Sequence, residues 1–247
     1  ELLQTEMESY HSAGTCTFYG TANSNQMLME IMGLHVPGAA FVPPETDIRD
    51  ALTREAVKQL VENAQKTQTK NRVADIVNEK SIVNAMIGLL ATGGSTNHTI
   101  HLPAIARAAG IHINWDDFDD LSQIVPLICK IYPNGKADIN QFHAAGGMSF
   151  VIRTLLDNGY LHDDVKTVLG DGLEAFASEP VLKNNELEWR TGPVKSGDAN
   201  IISDARTPFS KNGGLRAVTG NIGRGIIKIS AVKPDHYLIT APAHVFY

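Results

Sequence analysis

Up to about residue 177 the apolar positions recur at the spacing of amphipathic helices, three or four residues apart. Residues 2–10 read as a short helix. Gly14-Thr15-Cys16-Thr17-Phe18-Tyr19-Gly20 is too glycine-flanked for a helix interior. Asn23 or Ser24 is then expected to cap a helix carrying Met27, Leu28, Ile31 and Met32, with Gly33 ending it. Three prolines make residues 35–44 an extended connection. Asp50 is expected to open a helix through residue 64, with Leu52, Val57, Leu60 and Val61 on one face and Arg54, Glu55 and Lys58 on the other.

A strongly apolar helix over residues 81–90 stops at Gly93-Gly94. Ser95-Thr96-Asn97 caps another that reaches Ala109 and ends at Gly110, with Pro103 inside it as a candidate kink. Asp116-Asp117 starts a short helix, and residues 124–131 read as a buried strand closed by Pro133-Asn134-Gly135. Asp138 caps a helical stretch that breaks at Gly146-Gly147 and resumes through Leu156. After residue 178 the pattern becomes short and β-prone, over 187–190, 215–219, 225–232 and 237–240. The expected fold class is α/β: a helix-rich α/β domain over residues 1–177, then the start of a β-rich, barrel-like domain over 178–247 that looks cut off at Phe246-Tyr247.

Composition narrows the function classes without choosing one. The 247 residues are 43% hydrophobic and 19% charged, enough to build a core without a disulfide or metal staple. A net charge of -6 leaves no basic field for a nucleic-acid backbone. No apolar run approaches the ~20 residues of a membrane span. Glu1-Leu2-Leu3-Gln4 has neither the basic region nor the cleavage site of a signal peptide. Two cysteines far apart in sequence favour a reducing, cytoplasmic setting over a disulfide scaffold.

Several segments could carry chemistry. Cys16 lies in a glycine-bounded segment just before a helix start, where free N–H groups and the helix dipole stabilise a thiolate. It could be a nucleophile, a metal ligand, or a small residue in a tight turn. Gly93-Gly94-Ser95-Thr96-Asn97 leads into a helix start, which is either an anion site or a well-capped corner. Ser210-Lys211-Asn212-Gly213-Gly214 offers a cation beside flexible backbone, though an ordinary turn is the simpler reading. His98 and His101 sit one helical turn apart but lack a third ligand, and His143 has the same standing. The acidic run Asp116-Asp117, Asp119-Asp120 reads as a solvated helix start, and Cys129, in an apolar run, as buried and inert.

Taken together, these segments resemble one family. Gly14-Thr15-Cys16-Thr17-Phe18-Tyr19-Gly20-Thr21-Ala22-Asn23-Ser24-Asn25-Gln26-Met27 resembles the cysteine segment of the dihydroxy-acid and 6-phosphogluconate dehydratases. Ala91-Thr92-Gly93-Gly94-Ser95-Thr96-Asn97-His98-Thr99 is similar to the same family's Gly-Gly-Ser-Thr-Asn segment. Tyr132-Pro133-Asn134-Gly135-Lys136, His143-Ala144-Ala145-Gly146-Gly147 and the run from Pro208 to Asn221 follow in the family's order. The runs after Cys16 and after Asn97 look like the 6-phosphogluconate members. The dihydroxy-acid enzymes carry a more glycine-rich and a more apolar version of the two.

The resemblance implies a hydro-lyase that converts 6-phospho-D-gluconate to 2-dehydro-3-deoxy-6-phosphogluconate in the Entner–Doudoroff pathway. It implies an iron–sulfur cluster, 4Fe-4S rather than 2Fe-2S, with a divalent cation as a further candidate. Cys16 would be one thiolate ligand, and Ser95, Thr96 and Asn97 would meet the anionic substrate. It also implies a homodimer working on a phosphorylated sugar acid. The family's other cluster cysteines, its acidic metal ligands and its proposed serine base match no position here, so these 247 residues alone are expected to be inactive and to self-associate. The alternatives are a dihydroxy-acid or other sugar-acid dehydratase, or a non-catalytic piece that binds sugar phosphate.

Overall fold

The computed structural model describes residues 1–8, 16–66, 71–242 and 244–246. Helix α1 (Leu2–Glu8) occupies the first expected element, whose last two residues lie outside the described ones. Helix α2 (Thr21–Ile31) begins earlier than expected, with Gly20 as its N-cap. Asn23 and Ser24 are inside the helix and turned to other partners. Ser24 Oγ donates back to the Gly20 carbonyl at 2.8 Å, and Asn23 Nδ2 donates to the carbonyls of Cys16 and Phe18.

Glu30, buried near the end of α2, organises the connection that follows by accepting the amides of Gly38 and Ala40, both at 2.8 Å. Helix α3 (Asp47–Gln65) is capped by Thr46, whose Oγ1 accepts the Arg49 amide. Its expected apolar face is corrected by the packing. Leu52 is buried, but Val57, Leu60 and Val61 are 57%, 68% and 49% exposed. The first half of α3 supplies the apolar packing, where Leu52 meets Val36, Ala39, Val42, Leu187 and Trp189, while in the second half Asn63 bonds the Asn71 backbone.

The short α4 (Val73–Ile76) precedes α5 (Glu79–Thr92), which is capped by Asn78 and buried almost throughout. Helix α5 packs against α2 at Gly88, where an added Cβ would lie 2.8 Å from Ile31 Cδ1 and 2.9 Å from Met27 Sδ. Helix α6 (His98–Ala108) has no side-chain cap: Asn97 is itself in the helical region, and its side chain bonds elsewhere. Pro103 lies inside α6 and supplies no amide to the Thr99 carbonyl; Trp115 Nε1 donates to that oxygen at 3.2 Å instead.

Helix α7 (Trp115–Ser122) is capped by Asn114, one residue ahead of the expected start. Its acidic run is a helix start with Asp116 and Asp120 exposed, as expected, but two of its carboxylates also bind arginines. Asp119 pairs with Arg216 at 2.6 Å and accepts the Ala217 amide, and Asp116 pairs with Arg224. Ile124 and Val125 close the turn after α7, and residues 126–131 are extended and mostly buried but form no strand. Their amides go to scattered acceptors, among them Ala91, Ser210 and Ile201, through isolated bridges rather than a ladder. Helices α8 (Ile139–Ala144) and α9 (Gly147–Asp157) follow as expected, with Asp138 capping the first.

Among the described residues, three two-stranded antiparallel ladders complete the fold. These are β1 (Lys166–Thr167) with β2 (Gly170–Asp171), β3 (Ser178–Lys183) with β4 (Glu186–Thr191), and β5 (Arg216–Gly220) with β6 (Gly223–Ile227). A helix-rich part followed by strands is as expected, but the barrel is corrected: among the described residues the second part forms separate antiparallel hairpins. Each longer hairpin closes through a two-residue turn and pairs only with itself, and residues 237–240 form no strand. One large core joins α2, α5 and α9 and also takes in Ile202, Ala205 and Leu215. No described helix is long and apolar enough to cross a membrane.

Candidate functional site

Cys16 is exposed, while the backbone around it is held at several points. Asn23 Nδ2 grips the Cys16 carbonyl at 2.7 Å and that of Phe18 at 2.9 Å. The Ile139 amide donates to Thr17 O, and the Tyr19 amide to Tyr132 O, each at 2.8 Å. Tyr19 is fully buried, its hydroxyl 2.9 Å from Thr92 Oγ1. The thiol thus stands at the surface on a fixed peptide. Thr17, Phe18 and Tyr19 separate it from the helix cap at Gly20, so it lies outside the first turn of α2.

Thr21 joins this segment to the second candidate. Its Oγ1 lies 2.8 Å from Ser95 Oγ and accepts from Asn97 Nδ2 at 2.9 Å. The starts of α2 and α6 are therefore side by side, with Ser95 and Thr96 half-buried and Asn97 exposed. Two of the amides expected to meet an anion have internal acceptors: Ser95 N–H goes to Ser24 Oγ at 3.3 Å and Asn97 N–H to Ser95 Oγ at 3.2 Å. Beneath them His98 is buried, its Nε2 2.9 Å from Ser24 Oγ. Burial, with His101 nearby, lowers His98 to about 4, so the ring is neutral at physiological pH.

The glycine pairs act through close approach. Gly93 ends α5 in the left-handed conformation at φ 63°, and a Cβ there would lie 2.3 Å from Asn134 Nδ2. Asn134 Nδ2 donates to Gly93 O at 2.8 Å, and Ser230 Oγ donates to Asn134 Oδ1 at 2.9 Å. A Cβ on Gly214 would lie 2.8 Å from Gly93 Cα and 2.9 Å from Ser230 Oγ. The second glycine segment, read from sequence as a simple turn, thus packs directly on the first. Lys211 is exposed. Thr21, Ser24, Asn134 and Ser230 are the joining residues that spacing did not single out. Asn134 carried a signal through its Tyr-Pro-Asn-Gly setting, and Thr21 and Ser24 through the segment that follows Cys16.

The remaining candidates are elsewhere or inert. His101 is exposed beside His98, with ring centroids 5.6 Å apart. His143 lines a cavity of about 330 Å³ with Glu30, Glu179 and Arg190, and burial lowers its pKa. Cys129 is fully buried, and desolvation pushes its thiol far up, as its apolar run implies. Lys228, after β6, has no ion pair among the described residues, and burial brings it down to about 8. Among the described residues no three His, Cys, Asp or Glu side chains cluster in a way that could hold a metal ion.

Comparison with known proteins bears on both segments. Residues 1–176 match the N-terminal domain model of the dihydroxy-acid/6-phosphogluconate dehydratases, and residues 200–247 match the C-terminal one. A phosphogluconate dehydratase of Pseudomonas aeruginosa is 56% identical over 247 residues, all of this chain and 41% of the relative. One from Escherichia coli K12 is 53% identical over 245 residues, covering 99% of this chain and 41% of the relative. A dihydroxy-acid dehydratase of Caldanaerobacter subterraneus is 34% identical over 248 residues, all of this chain and 42% of the relative. The chain thus spans about two fifths of the length of the curated relatives it matches. With both domain models matched in order, and the Cys16 and Ser95–Asn97 segments joined at Thr21, the chain belongs to the dihydroxy-acid/6-phosphogluconate dehydratase family.

Proposed function

We propose that this chain is part of a hydro-lyase that removes water from 6-phospho-D-gluconate to give 2-dehydro-3-deoxy-6-phosphogluconate. The observation that supports the reading is the junction at Thr21, which ties the segment carrying an exposed Cys16 to the Ser95–Asn97 turn. Identity of 53–56% to phosphogluconate dehydratases, against 34% to a dihydroxy-acid dehydratase, supports this substrate. The wider setting in this reading is a cytoplasmic homodimer.

The chemistry explains the parts. The proton beside a carboxylate is weakly acidic, and the C3 hydroxyl is a poor leaving group. An iron–sulfur cluster, taken here as 4Fe-4S, supplies a Lewis acid to that hydroxyl and to the carboxylate when bound. The described residues fit one position around it: Cys16 offers an accessible thiol on a rigid peptide, and no other described group joins it. A divalent cation, where used, takes its ligands from outside this set. With the Ser95 and Asn97 backbone amides bonded internally, the turn meets the anionic end of the substrate through Thr96 and through the side chains of Ser95 and Asn97, at the start of α6. The buried Tyr19–Thr92 pair and the Asn23 bonds keep the Cys16 peptide from moving as ligands bind.

The test is turnover and iron content of the full-length enzyme. It should dehydrate 6-phosphogluconate in preference to a 2,3-dihydroxy acid, and the reverse preference would move the reading to the other branch. Cys16→Ser should remove the cluster's visible absorbance together with activity; a variant with normal iron and turnover removes Cys16 from the site. Cys129→Ser should keep the cluster, at a stability cost of about 1–3 kcal/mol for a buried hydroxyl.

A further inference from the structure

His98 is a buried polar residue that the dehydratase reading leaves without a role. Ser24 Oγ donates its proton to the Gly20 carbonyl at 2.8 Å and accepts the Ser95 amide at 3.3 Å. Toward His98 Nε2, at 2.9 Å, it is then an acceptor, and a proton placed instead on the buried Nδ1 would be a donor with no acceptor among the described residues. The proton must be on Nε2. His98 Nδ1 is then a bare acceptor, buried with no partner among the described residues. This tautomer ties α6 at His98 to α2 at Ser24, and Ser24 extends the tie to Gly20 and Ser95.

We propose that His98 is the positioning residue of this site, its Nε2–H holding the starts of α2 and α6 in register and so setting the Ser95–Asn97 turn against the Cys16 segment. An ordinary core histidine would need no such placement. Here one ring N–H and one hydroxyl join two backbone groups, the Gly20 carbonyl and the Ser95 amide, one from each candidate segment. The Thr21–Ser95 and Thr21–Asn97 bonds span the same gap nearer the surface. His98 is the buried half of that joint, where a hydrogen bond is least exposed to competition from water.

The proposal rests on the dehydratase reading for its activity arm, so the test has two readouts in the full-length enzyme. His98→Phe keeps a ring but no donor, and His98→Gln returns an N–H near the place of Nε2. His98→Phe should lower kcat/KM on 6-phosphogluconate roughly ten- to a hundredfold, as small misplacements of reacting groups do, with iron content unchanged. His98→Gln should recover most of that loss. Ser24→Ala, which creates no bulk, should reproduce it, and the double variant with His98→Phe should lose little more. Wild-type kcat/KM in His98→Phe or Ser24→Ala, or a His98→Gln as poor as His98→Phe, overturns the proposal. If His98→Phe does not fold, Ser24→Ala and His98→Gln decide it alone. The second readout is the ¹⁵N spectrum of the histidine rings, which needs no substrate. His98 should be the Nε2-protonated tautomer, its resonance moving on Ser24→Ala; the Nδ1-protonated form overturns the proposal. An enzyme inert toward 6-phosphogluconate but with the expected spectrum refutes the substrate reading and leaves the joint standing.

Discussion

At the scale of single residues, Glu30 carries a measurable consequence. Burial raises its carboxyl to about 7, against the opposing pull of the Ala40 and Gly38 amides and of Arg49. Below pH 4.5 both folded and unfolded chains hold the proton; between 4.5 and 7 the folded chain keeps it after the unfolded chain has lost it. Stability therefore falls as pH rises through that window, by about 3 kcal/mol for this one group. His98 acts in the opposite direction, because its folded value of about 4 lies below the ordinary 6.5. Only a difference between variants isolates Glu30. Glu30→Gln cannot ionise, although it leaves the Ala40 amide poorly served at every pH. Denaturant unfolding across pH 4–8 should show the wild-type advantage over Glu30→Gln shrinking between pH 4.5 and 7; a difference that stays level would refute the account.

Among the elements, α6 shows how a local fault is repaired from a distance. Pro103 fits its hydrophobic pattern but withholds the amide that Thr99 O needs, and the indole of α7 supplies the missing donor. Trp115→Phe should cost about 1 kcal/mol for the hydrogen bond, beyond small packing changes. In a Pro103→Ala background the helix regains its own amide, and the same substitution should cost less. Equal costs in the two backgrounds would separate the indole from the proline. Other elements were readable because their signals are local. Asp138 at a cap and Gly146-Gly147 at a break state the limits of α8 and α9 within a few residues. Helix α3 was misread because periodicity marks an apolar face without saying whether a neighbour reaches it.

For the whole molecule, the decisive feature is the path of residues 199–215. Ile202, Ala205 and Leu215 enter the core built by the helices, and Gly213 and Gly214 donate their amides to Ser122 and Leu90. The switch from helical to strand-like pattern after residue 178 is real, but this core runs across it. Leu215→Ala should therefore lower the unfolding free energy of the helices, read by far-ultraviolet circular dichroism, by about 2–5 kcal/mol. Helices that unfold at an unchanged denaturant concentration would show instead that the β hairpins stand apart from them.

What the sequence determined by itself was the local and the chemical: the helices, most of their ends, the inert Cys129, and the family through its ordered glycine, cysteine and asparagine segments. These are read within a few residues, by capping groups, periodicity and short patterns. What only the tertiary structure decided was pairing across distance. No spacing rule links Thr21 to Ser95, Ser24 to His98, or Gly93 to Gly214, which lie 74, 74 and 121 positions apart (95 − 21, 98 − 24 and 214 − 93). Extended residues 126–131 are likewise strand-like in composition, yet their amides meet three different segments, and a ladder needs one continuous partner. Hydrogen bonds at these points are chosen by which backbones the core brings within reach, and that follows from packing the whole chain.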